Sequence, residues 1–318
     1  MAGTGLNLQE GEWYSTMKIL IVHRGDTQSR RPFISEQGKA LGNKGIDVQY
    51  FGILGTGGTA YLSEFNKFKK EIKRFKPDLI HAHYGLSGLF ANMQRKIPVI
   101  TTYHGSDINL PKVLTLSRIA ARLSKYNIYV SEQLAKRAKA KKKYKVIPCG
   151  VDLNVFYPID KYEARKILDL EAKKLYILFS ASCDNLIKNC NLAKAAINKL
   201  NMDVDLIELK GYTRQEVNLL FNASDIALMT SQMEGSPQFI KEAMACNCPI
   251  VSTNVGTVKD IIADTIGCYI TTFSADDVAE KIKMAFNFNG RTIGNNKIRS
   301  MDSNIVAEQI CSIYKNIL

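Results

Sequence analysis

The sequence predicts an α/β protein of two doubly wound domains, each a parallel sheet covered by helices on both faces. Short apolar runs rich in β-branched residues alternate with amphipathic helical stretches, a pattern typical of parallel strands joined by helical crossovers. The alternation is interrupted once, from Pro148 to Pro158, by a segment with turn residues at both ends. The 318 residues are enough to bury two cores. We therefore place the domains at 17–155 and 156–303.

The first domain begins at Met17, where a sharp strand pattern starts. Residues 1–16 have neither a basic start nor an apolar core, so we interpret them as a leader or tag and not as a secretory signal. The predicted strands are Lys18–Val22, Asp47–Gly52, Asp78–Ala82, Val99–Thr102, Ile128–Val130 and Lys145–Ile147. The predicted helices are Ile34–Asn43, Tyr61–Phe75, Leu114–Leu123 and Glu132–Lys139.

The second domain repeats this alternation. Its predicted strands are Tyr176–Ser180, Val204–Leu209, Ile226–Thr230 and Ile250–Thr253. Its predicted helices are Leu192–Leu200, Gln215–Asn222, Pro237–Cys246 and Asp276–Phe286, and a last helix covers Asn304–Ile317. Because open parallel sheets bind ligands beyond the carboxyl ends of their strands, two such domains facing each other make a cleft with a ligand edge on each wall. That geometry suits a reaction with two substrates.

Positive charge is concentrated in the first half of the chain. Residues 17–150 contain 25 Lys and Arg against 8 Asp and Glu, whereas residues 151–318 contain 18 against 20. Such asymmetry indicates an anionic partner for the first domain. The basic segments Glu64–Lys76 and Leu114–Lys145 favour anionic lipid, near which each basic residue contributes about 1 kcal/mol. Nucleic acid is the competing anion, but the sequence has no recognised binding module and no aromatic stacking pattern.

Cysteine and histidine usage gives no sign of a metal centre. The seven cysteines are odd in number and form no C-x-x-C motif, so we expect free thiols in a reducing cytoplasm. His81 and His83 alternate along one strand and share a face, but no third ligand has a suitable spacing. No apolar run approaches the roughly 20 residues that span a bilayer.

The most informative stretch runs from Thr230 to Ser252. A strand ends in a loop, after which the pattern predicts Ser236 as a helix N-cap and Pro237 as the first helical residue. A helix N-terminus at the carboxyl end of a strand suits a diphosphate. Glu234 precedes the helix and Glu242 lies about 8 Å along its axis, at about 1.5 Å per residue. One carboxylate can hold a transferred sugar while the other accepts hydrogen bonds from a ribose diol.

The E-x7-E spacing of Glu234 and Glu242, followed by E-A-M-A-C and a P-I-V-S-T strand, resembles the family-4 retaining glycosyltransferases. The resemblance extends over residues 17–318, through the stretches Asp78–His83, Thr101–Asp107, Ile147–Asp152 and Lys188–Asn189. It implies a GT-B fold of two Rossmann-like doubly wound domains with an interdomain cleft. The first domain then binds the acceptor and the second the nucleotide-sugar donor, while the C-terminal helix, 304–318, packs back on the first domain.

The resemblance also implies a role for each candidate residue. Glu234 contacts the donor sugar, Glu242 contacts the nucleotide ribose, Lys188 neutralises charge on the leaving diphosphate, and His104 lies near the anomeric centre. The remaining donor-binding candidates are Gly235, Ser236, Pro237 and Lys210, and the acceptor-binding or cleft-lining candidates are Gly25, His83, Ser106 and Asp107. The family needs neither a metal nor a cofactor beyond the nucleotide-sugar co-substrate. Positioning and charge stabilisation then account for most of the rate.

The sequence departs from the family pattern where the donor phosphates and base are bound. The stretch Phe179–Lys188 lacks the G-R that precedes the lysine in the family, so one phosphate contact comes from elsewhere, with Lys210 or a first-domain cation as candidates. The family's G-D-G strand end is absent, and the loop Arg24–Gln28 lacks paired glycines. The donor base and sugar therefore stay open.

We thus expect a cytoplasmic enzyme, peripheral on the inner face of the cell membrane, that moves a sugar from a nucleotide-sugar donor to a saccharide or lipid-linked acceptor, without nucleic acid as a partner. Two alternatives stay open. A sugar-nucleotide epimerase of the same architecture would need acid and base residues for proton abstraction. A non-catalytic homologue would bind a sugar nucleotide without transferring it, because fold does not guarantee function.

Overall fold

The computed structural model describes residues 17–28, 31–55, 58–141 and 143–318, so the expected leader lies outside the described residues. The chain divides into two compact units. Unit 1 comprises the residues up to Gly150 together with Ser303–Leu318, and unit 2 comprises Val151–Asp302. The division falls at Gly150, earlier than the boundary at 155 that the sequence indicated.

Unit 1 contains a six-stranded parallel sheet in the order β2-β1-β3-β4-β5-β6. Its strands are β1 (Lys18–Arg24), β2 (Asp47–Ile53), β3 (Leu79–His83), β4 (Val99–Tyr103), β5 (Tyr126–Tyr129) and β6 (Tyr144–Val146). Its helices are α1 (Pro32–Gly42), α2 (Gly58–Phe75), α3 (Gly85–Asn92), α4 (Ser106–Asn109), α5 (Pro111–Leu123), α6 (Glu132–Ala138) and α14 (Ser303–Lys315). The sequence pattern did not reveal α3 and α4, which are short and begin directly after strands.

The core of unit 1 lies on both faces of this sheet. All five interior residues of β1 are buried, four of them apolar and the fifth His23, as expected for a strand covered on both sides. Ile19 and Ile21 belong to a core cluster that includes Ile310 and Tyr314 of α14. The alternate residues of β1 pack in a second cluster around Phe68 and Phe90. The C-terminal helix is therefore part of the core of unit 1.

Unit 2 contains a five-stranded parallel sheet in the order β11-β10-β9-β7-β8. Its strands are β7 (Leu175–Phe179), β8 (Val204–Glu208), β9 (Ile226–Met229), β10 (Ile250–Thr253) and β11 (Cys268–Thr271). Its helices are α7 (Lys161–Ile167), α8 (Cys190–Asn198), α9 (Arg214–Ala223), α10 (Gln238–Ala245), α11 (Val258–Ile262), α12 (Ala275–Phe288) and α13 (Gly294–Ile298). The two faces of this sheet bury separate apolar clusters. The prediction of two doubly wound parallel sheets is confirmed.

Each sheet has one topological switch point, where the order of the strands reverses. In unit 1 this point lies between β1 and β3, and in unit 2 between β7 and β9. Ligands of open α/β sheets bind beyond the carboxyl ends of the strands at such points. The loops that follow Arg24, His83, Phe179 and Met229 are therefore where binding residues are expected.

One expectation about the cysteines is wrong. Cys183 and Cys190 are joined in a disulfide, with their Cα atoms 5.1 Å apart, a separation that suits a bridge. The intervening chain folds back through a short 3-10 turn, Leu186–Lys188, which the seven-residue spacing alone does not reveal. The cysteines outside this disulfide are Cys149, Cys246, Cys248, Cys268 and Cys311.

In the described part of the chain, no helix combines the length and the apolar character that crossing a membrane requires.

Candidate active site

Lys188 and Glu234 meet at the switch point of unit 2. Lys188 Nζ donates a hydrogen bond to Glu234 Oε1 at 2.6 Å, and both side chains are partly exposed. The loop that carries the lysine is tied to the end of β9, because Thr230 Oγ1 donates to the carbonyls of Lys188 and Asn189 at 3.0 and 2.9 Å. The backbone N–H of Gln232 also donates to the Ile187 carbonyl at 2.9 Å. The fold thus brings together two residues that are 46 positions apart in the sequence.

The helix after Glu234 begins later than the sequence predicted. Pro237, with φ −68° and ψ 122°, is the N-cap, and Gln238 is the first helical residue. The prediction that Ser236 caps this helix is wrong, because the extended backbone at Pro237 moves the helix start by one residue. The Ser236 hydroxyl oxygen is buried and has no hydrogen-bond partner among the described residues. Gly235, in the same loop, is buried.

Glu242 is buried inside α10 and pairs with an arginine that the sequence analysis missed. Arg214 Nη2 donates to Glu242 Oε1 at 2.6 Å. The guanidinium carbon also lies 4.5 Å from the ring centroid of Phe156, within cation–π range. Arg214 is the first residue of α9, directly after its N-cap Thr213, which forms a capping box with Glu216. That capping box is visible in the sequence as T-x-x-E, but nothing there indicates where the arginine points.

Lys210, the sequence-based candidate for the missing phosphate contact, pairs elsewhere. Its Nζ donates to Asp184 at 2.8 Å, and the two side chains are 66% and 80% exposed. This exposed ion pair raises the pKa of Lys210 and lowers that of Asp184. Exposed pairs of this kind are weak, so Lys210 is much less constrained than Lys188 or Arg214.

All four histidines of the chain lie on β1, β3 or directly after β4 in unit 1. His83 Nδ1 and His104 Nε2 share a hydrogen bond at 2.9 Å. The rings of His81 and His83 stack with centroids 4.9 Å apart, and burial lowers the pKa of His81 to about 3. Burial, together with His81, His104 and His23, also holds the pKa of His83 well below its ordinary value. Both imidazoles on β3 are therefore neutral near pH 7.

These buried imidazoles support the loops around them. His81 shares hydrogen bonds with Tyr314 of α14 at 2.5 Å and with Thr102 of β4 at 2.7 Å. His83, predicted to bind the acceptor or line a cleft, is fully buried. It contacts His104 instead of an open surface, because side chains of a central strand covered on both faces have no access to solvent.

Asp107 joins the loop after β4 to the loop after β3. Its buried carboxylate accepts hydrogen bonds from the backbone N–H groups of Gly105 at 2.9 Å, His104 at 3.1 Å and Gly85 at 3.1 Å. Burial raises the pKa of Asp107 to about 6, although these N–H bonds oppose the shift. Gly105 has φ +140°, which favours glycine. Asp107 thereby fixes the backbone that presents His104.

A cavity of about 430 Å³ lies at the switch point of unit 1. It is lined by three residues of the predicted acceptor set, Gly25, Ser106 and Asp107. Arg24, the last residue of β1, also lines it. Its other lining residues are Arg31, Ile34, Tyr84, Leu86, Ser87, Leu110 and Val113.

One group of three potential metal ligands is found among the described residues, formed by Cys183, Cys190 and Glu208. The two sulfurs are bonded to each other, and a metal would require free thiolates. Glu208 already accepts a hydrogen bond from the backbone N–H of Cys183 at 2.8 Å. These residues do not fit a metal in this state.

Two family descriptions match the chain. Glycosyltransferase Family 4 matches residues 24–155, and Glycosyl transferases group 1 matches residues 190–291. Together the matches cover most of the chain and include the loops after β1, β3, β4 and β9, whereas the loop that carries Lys188 lies between the two matched ranges.

Curated relatives are similar over much of their length. An uncharacterised glycosyltransferase of Methanocaldococcus jannaschii is 27% identical over 75% of this chain and 75% of its own. A putative teichuronic acid biosynthesis glycosyltransferase of Bacillus subtilis is 25% identical over 65% of this chain and 60% of its own. The N-acetyl-alpha-D-glucosaminyl L-malate synthase of Bacillus anthracis is 24% identical over 79% and 77%.

Solved structures share the fold at low sequence identity. A sucrose-phosphate synthase from Thermosynechococcus elongatus superimposes with a TM-score of 0.79 at 16% identity, covering 95% of this chain and 99% of its own. The Anabaena protein HepE in complex with UDP superimposes with a TM-score of 0.74 at 17% identity, covering 94% and 100%.

Proposed function

Because the chain belongs to the family-4 glycosyltransferases and has their GT-B fold, we propose that it transfers a sugar, with retained anomeric configuration, from a nucleotide-sugar donor to a saccharide or lipid-linked acceptor. One observation carries this proposal. At the switch-point edge of unit 2, two carboxylates at the E-x7-E spacing each pair with a cation, Glu234 with Lys188 and Glu242 with Arg214. A nucleotide sugar needs both kinds of group, because its hydroxyls donate to carboxylates and its diphosphate accepts from cations.

The donor roles follow from these pairs. Glu242 accepts hydrogen bonds from the ribose and Glu234 from the transferred sugar. Lys188 stabilises the charge that develops on the leaving diphosphate, the electrostatic contribution that is usually the largest in catalysis. Arg214, already in contact with the proposed ribose-binding carboxylate, supplies the phosphate contact for which the sequence lacks the family's arginine. The loop between Glu234 and α10 consists of Gly235, Ser236 and Pro237. With two cations available, the proposed reaction requires neither a metal nor a further cofactor.

His104 is assigned to orienting the sugar and the leaving phosphate. Its Nε2 shares a hydrogen bond with His83 at 2.9 Å, and its Nδ1 lies 3.5 Å from Cys149 Sγ. Since both nitrogens have partners in unit 1, a hydrogen bond from the ring to the substrate replaces one of these two contacts, and the fixed ring suits positioning better than proton transfer. Asp107 and His83 hold it in place, so the proposed catalysis depends on positioning.

The first test is a thermal-shift screen of the full chain against UDP, GDP, ADP and CMP and their sugar conjugates. UDP is the first choice because the HepE structure holds it. A ligand that binds only the folded state raises the melting temperature. We expect a shift with one nucleotide family and its loss in Glu242→Gln, with Lys210→Gln as a matched control that keeps it.

Product analysis then separates transfer from the alternatives. Slow donor hydrolysis without acceptor, with the released sugar initially in the donor's anomeric configuration, is expected for a retaining transferase. A C2-epimerised sugar would favour the epimerase alternative. Binding without turnover in the presence of an acceptor panel would favour a non-catalytic homologue. Absence of both a nucleotide shift and hydrolysis would contradict the proposal.

Attachment to anionic lipid is the second part of the proposal. A cavity of about 540 Å³ in unit 1 is lined by basic residues and by no Asp or Glu among the described residues. Those basic residues are Arg118, Arg122, Lys139, Lys141 and Lys143. On helix α5, which carries Arg118 and Arg122, Leu116 and Ile119 are also exposed. Apolar side chains beside several cations suit an anionic bilayer surface, at about 1 kcal/mol per basic residue. Placement on the inner face of the cell membrane is part of this proposal.

Vesicle co-sedimentation tests the attachment. We expect binding to phosphatidylglycerol-containing vesicles at low salt, and a loss of about tenfold or more when Lys139, Lys141 and Lys143 are changed to Gln, from about 1 kcal/mol each. The matched control changes three exposed lysines of unit 2, Lys194, Lys259 and Lys283, to Gln. Equal losses in both triple variants would show that only net charge matters, and absence of wild-type binding would contradict attachment.

A further inference from the structure

The cavity at the switch point of unit 1 contains two arginines without acidic partners. Arg24 is the last residue of β1, Arg31 is the N-cap of α1, and both side chains are exposed. Neither guanidinium forms an ion pair within the described residues. Gly25, which follows Arg24, has φ +97°, a conformation that favours glycine and turns the chain directly after the arginine.

The one acidic residue lining this cavity within the described chain is already engaged. Asp107 accepts hydrogen bonds from three backbone N–H groups, those of His104, Gly105 and Gly85. Burial also raises its pKa to about 6. The two arginines therefore face a cavity whose carboxylate is directed at the backbone, which makes the site suitable for an anion.

Tyr84 lies in the same cavity with an unusual backbone. Its φ of 74° and ψ of 148° fall in a region that glycine adopts and other residues rarely do. The conformation is enforced from both sides, because the Tyr84 N–H donates to the Thr102 carbonyl at 2.8 Å and the next N–H, of Gly85, donates to Asp107. It holds the ring 4.7 Å from that of His104 and 5.8 Å from the guanidinium carbon of Arg31.

Apart from Gly25, Ser87 and Ser106, the rest of the cavity lining is apolar. Ile34, Leu86, Leu110 and Val113 line it. An aromatic ring and aliphatic walls suit the carbon skeleton of a sugar or another small molecule, and guanidinium groups bind phosphate or carboxylate in a bidentate manner. The volume of about 430 Å³ is that of a small-molecule site.

We infer that this cavity binds the acceptor and that the acceptor carries an anionic group, a phosphate or a carboxylate, held by Arg24 and Arg31 while its carbon skeleton packs on Tyr84. This inference rests on the proposed transferase function and narrows its acceptor to anionic molecules, or to saccharides whose terminal unit is anionic. The net positive charge of residues 17–150 attracts such a molecule, and the two arginines give it a fixed point of contact.

Direct binding tests the inference without depending on turnover. Isothermal titration of the full chain compares glucose 6-phosphate, succinate and inorganic phosphate with glucose as the neutral counterpart. We expect at least one anionic probe to bind at least about tenfold more tightly than glucose. Arg24→Gln and Arg31→Gln should each weaken that binding about 10- to 100-fold, the range of a hydrogen bond to a charged group. Arg95→Gln, an exposed arginine of the same unit that lines neither this cavity nor the basic cavity proposed for lipid, should change it less than about threefold.

The diphosphate of the donor is the other anion that the two arginines could bind. Titrations with nucleotides distinguish it from an anionic acceptor. We expect Arg24→Gln and Arg31→Gln to leave the Kd for the nucleotide within about twofold, and to raise KM for an anionic acceptor while donor hydrolysis is retained. If these variants weaken nucleotide binding and leave anionic-probe binding unchanged, the inference is overturned. It is also overturned if no anionic probe binds better than glucose. A chain that binds the anionic probe but no nucleotide would contradict the proposed function, and a chain that hydrolyses the donor but binds no anionic probe would contradict only this inference.

Discussion

Arg214→Ala should destabilise unit 2 strongly, because it leaves a buried carboxylate without its partner. Glu242 is 5% exposed and its Oε1 lies 2.6 Å from Arg214 Nη2, whereas the arginine side chain is 28% exposed. Removing one member of a buried pair costs about 3–5 kcal/mol. Since water reaches this guanidinium, we expect the lower end, about 3 kcal/mol. For a unit of about 150 residues that corresponds to a melting temperature lower by about 6–12 °C.

The second and third variants isolate the pair itself. Glu242→Gln keeps the shape of the side chain and removes the charge, so it should cost less than about 1 kcal/mol. In the double variant Arg214→Ala, Glu242→Gln, no buried charge needs a cation, so at least about 2 kcal/mol of the loss should be recovered. The matched control is Lys210→Ala, whose partner is exposed and whose loss should cost less than about 1 kcal/mol.

Urea denaturation followed by circular dichroism, with calorimetry for the melting temperatures, measures all four variants. The reasoning is refuted if Arg214→Ala costs less than about 1 kcal/mol. It is also refuted if the double variant is as unstable as the sum of the two single ones, because the two groups would then act independently.

Three further predictions concern other parts of the chain. The buried His81 has a pKa of about 3, below the unfolded value of about 6.5, so its contribution to stability is present above pH 6.5 and is lost as the pH falls. Linkage gives a loss of about 2 kcal/mol in the free energy of unfolding between pH 7 and pH 5. Urea titrations at both pH values should show a smaller loss in His81→Gln, and an unchanged pH dependence in this variant would contradict the neutral buried imidazole. Asp107, with its pKa raised to about 6, acts in the opposite direction between pH 4 and 6, so the comparison must use the difference between wild type and variant. Reduction of the Cys183–Cys190 bridge should lower the free energy of unfolding by about 2–2.5 kcal/mol through loop-closure entropy. Melting with and without a reductant measures this loss, and the control Cys183→Ser should melt identically under both conditions. Identical melting of the oxidised and reduced wild-type protein would argue against the bridge. Lys188→Met should slow donor turnover about 100-fold or more. It should cost less than about 1 kcal/mol of stability, because its pair with Glu234 is partly exposed. Comparable losses of activity and of stability would assign the lysine a structural role.

The sequence by itself determined the architecture. Continuous apolar strands and helices of regular period depend on local residue order, so the alternation predicts two parallel sheets, and the structure confirms them. The E-x7-E spacing is local in the same sense, because Glu234 lies in the loop directly before α10 and Glu242 lies in α10 itself. The charge asymmetry between the two halves follows from counting the Lys, Arg, Asp and Glu residues of each. These signals are periodicities or short spacings, which a linear pattern can carry.

Only the tertiary structure decided which side chains meet. Arg214 reaches Glu242 across 28 residues, and four histidines come together because β3 lies between β1 and β4 in the sheet. The start of α10 after Pro237, the bridge between Cys183 and Cys190 and the backbone of Tyr84 depend on how particular turns fold. The physical reason is the same for all of them. Strand order and turn conformation place groups from distant loops at one edge of a sheet, and no local period encodes the pairing.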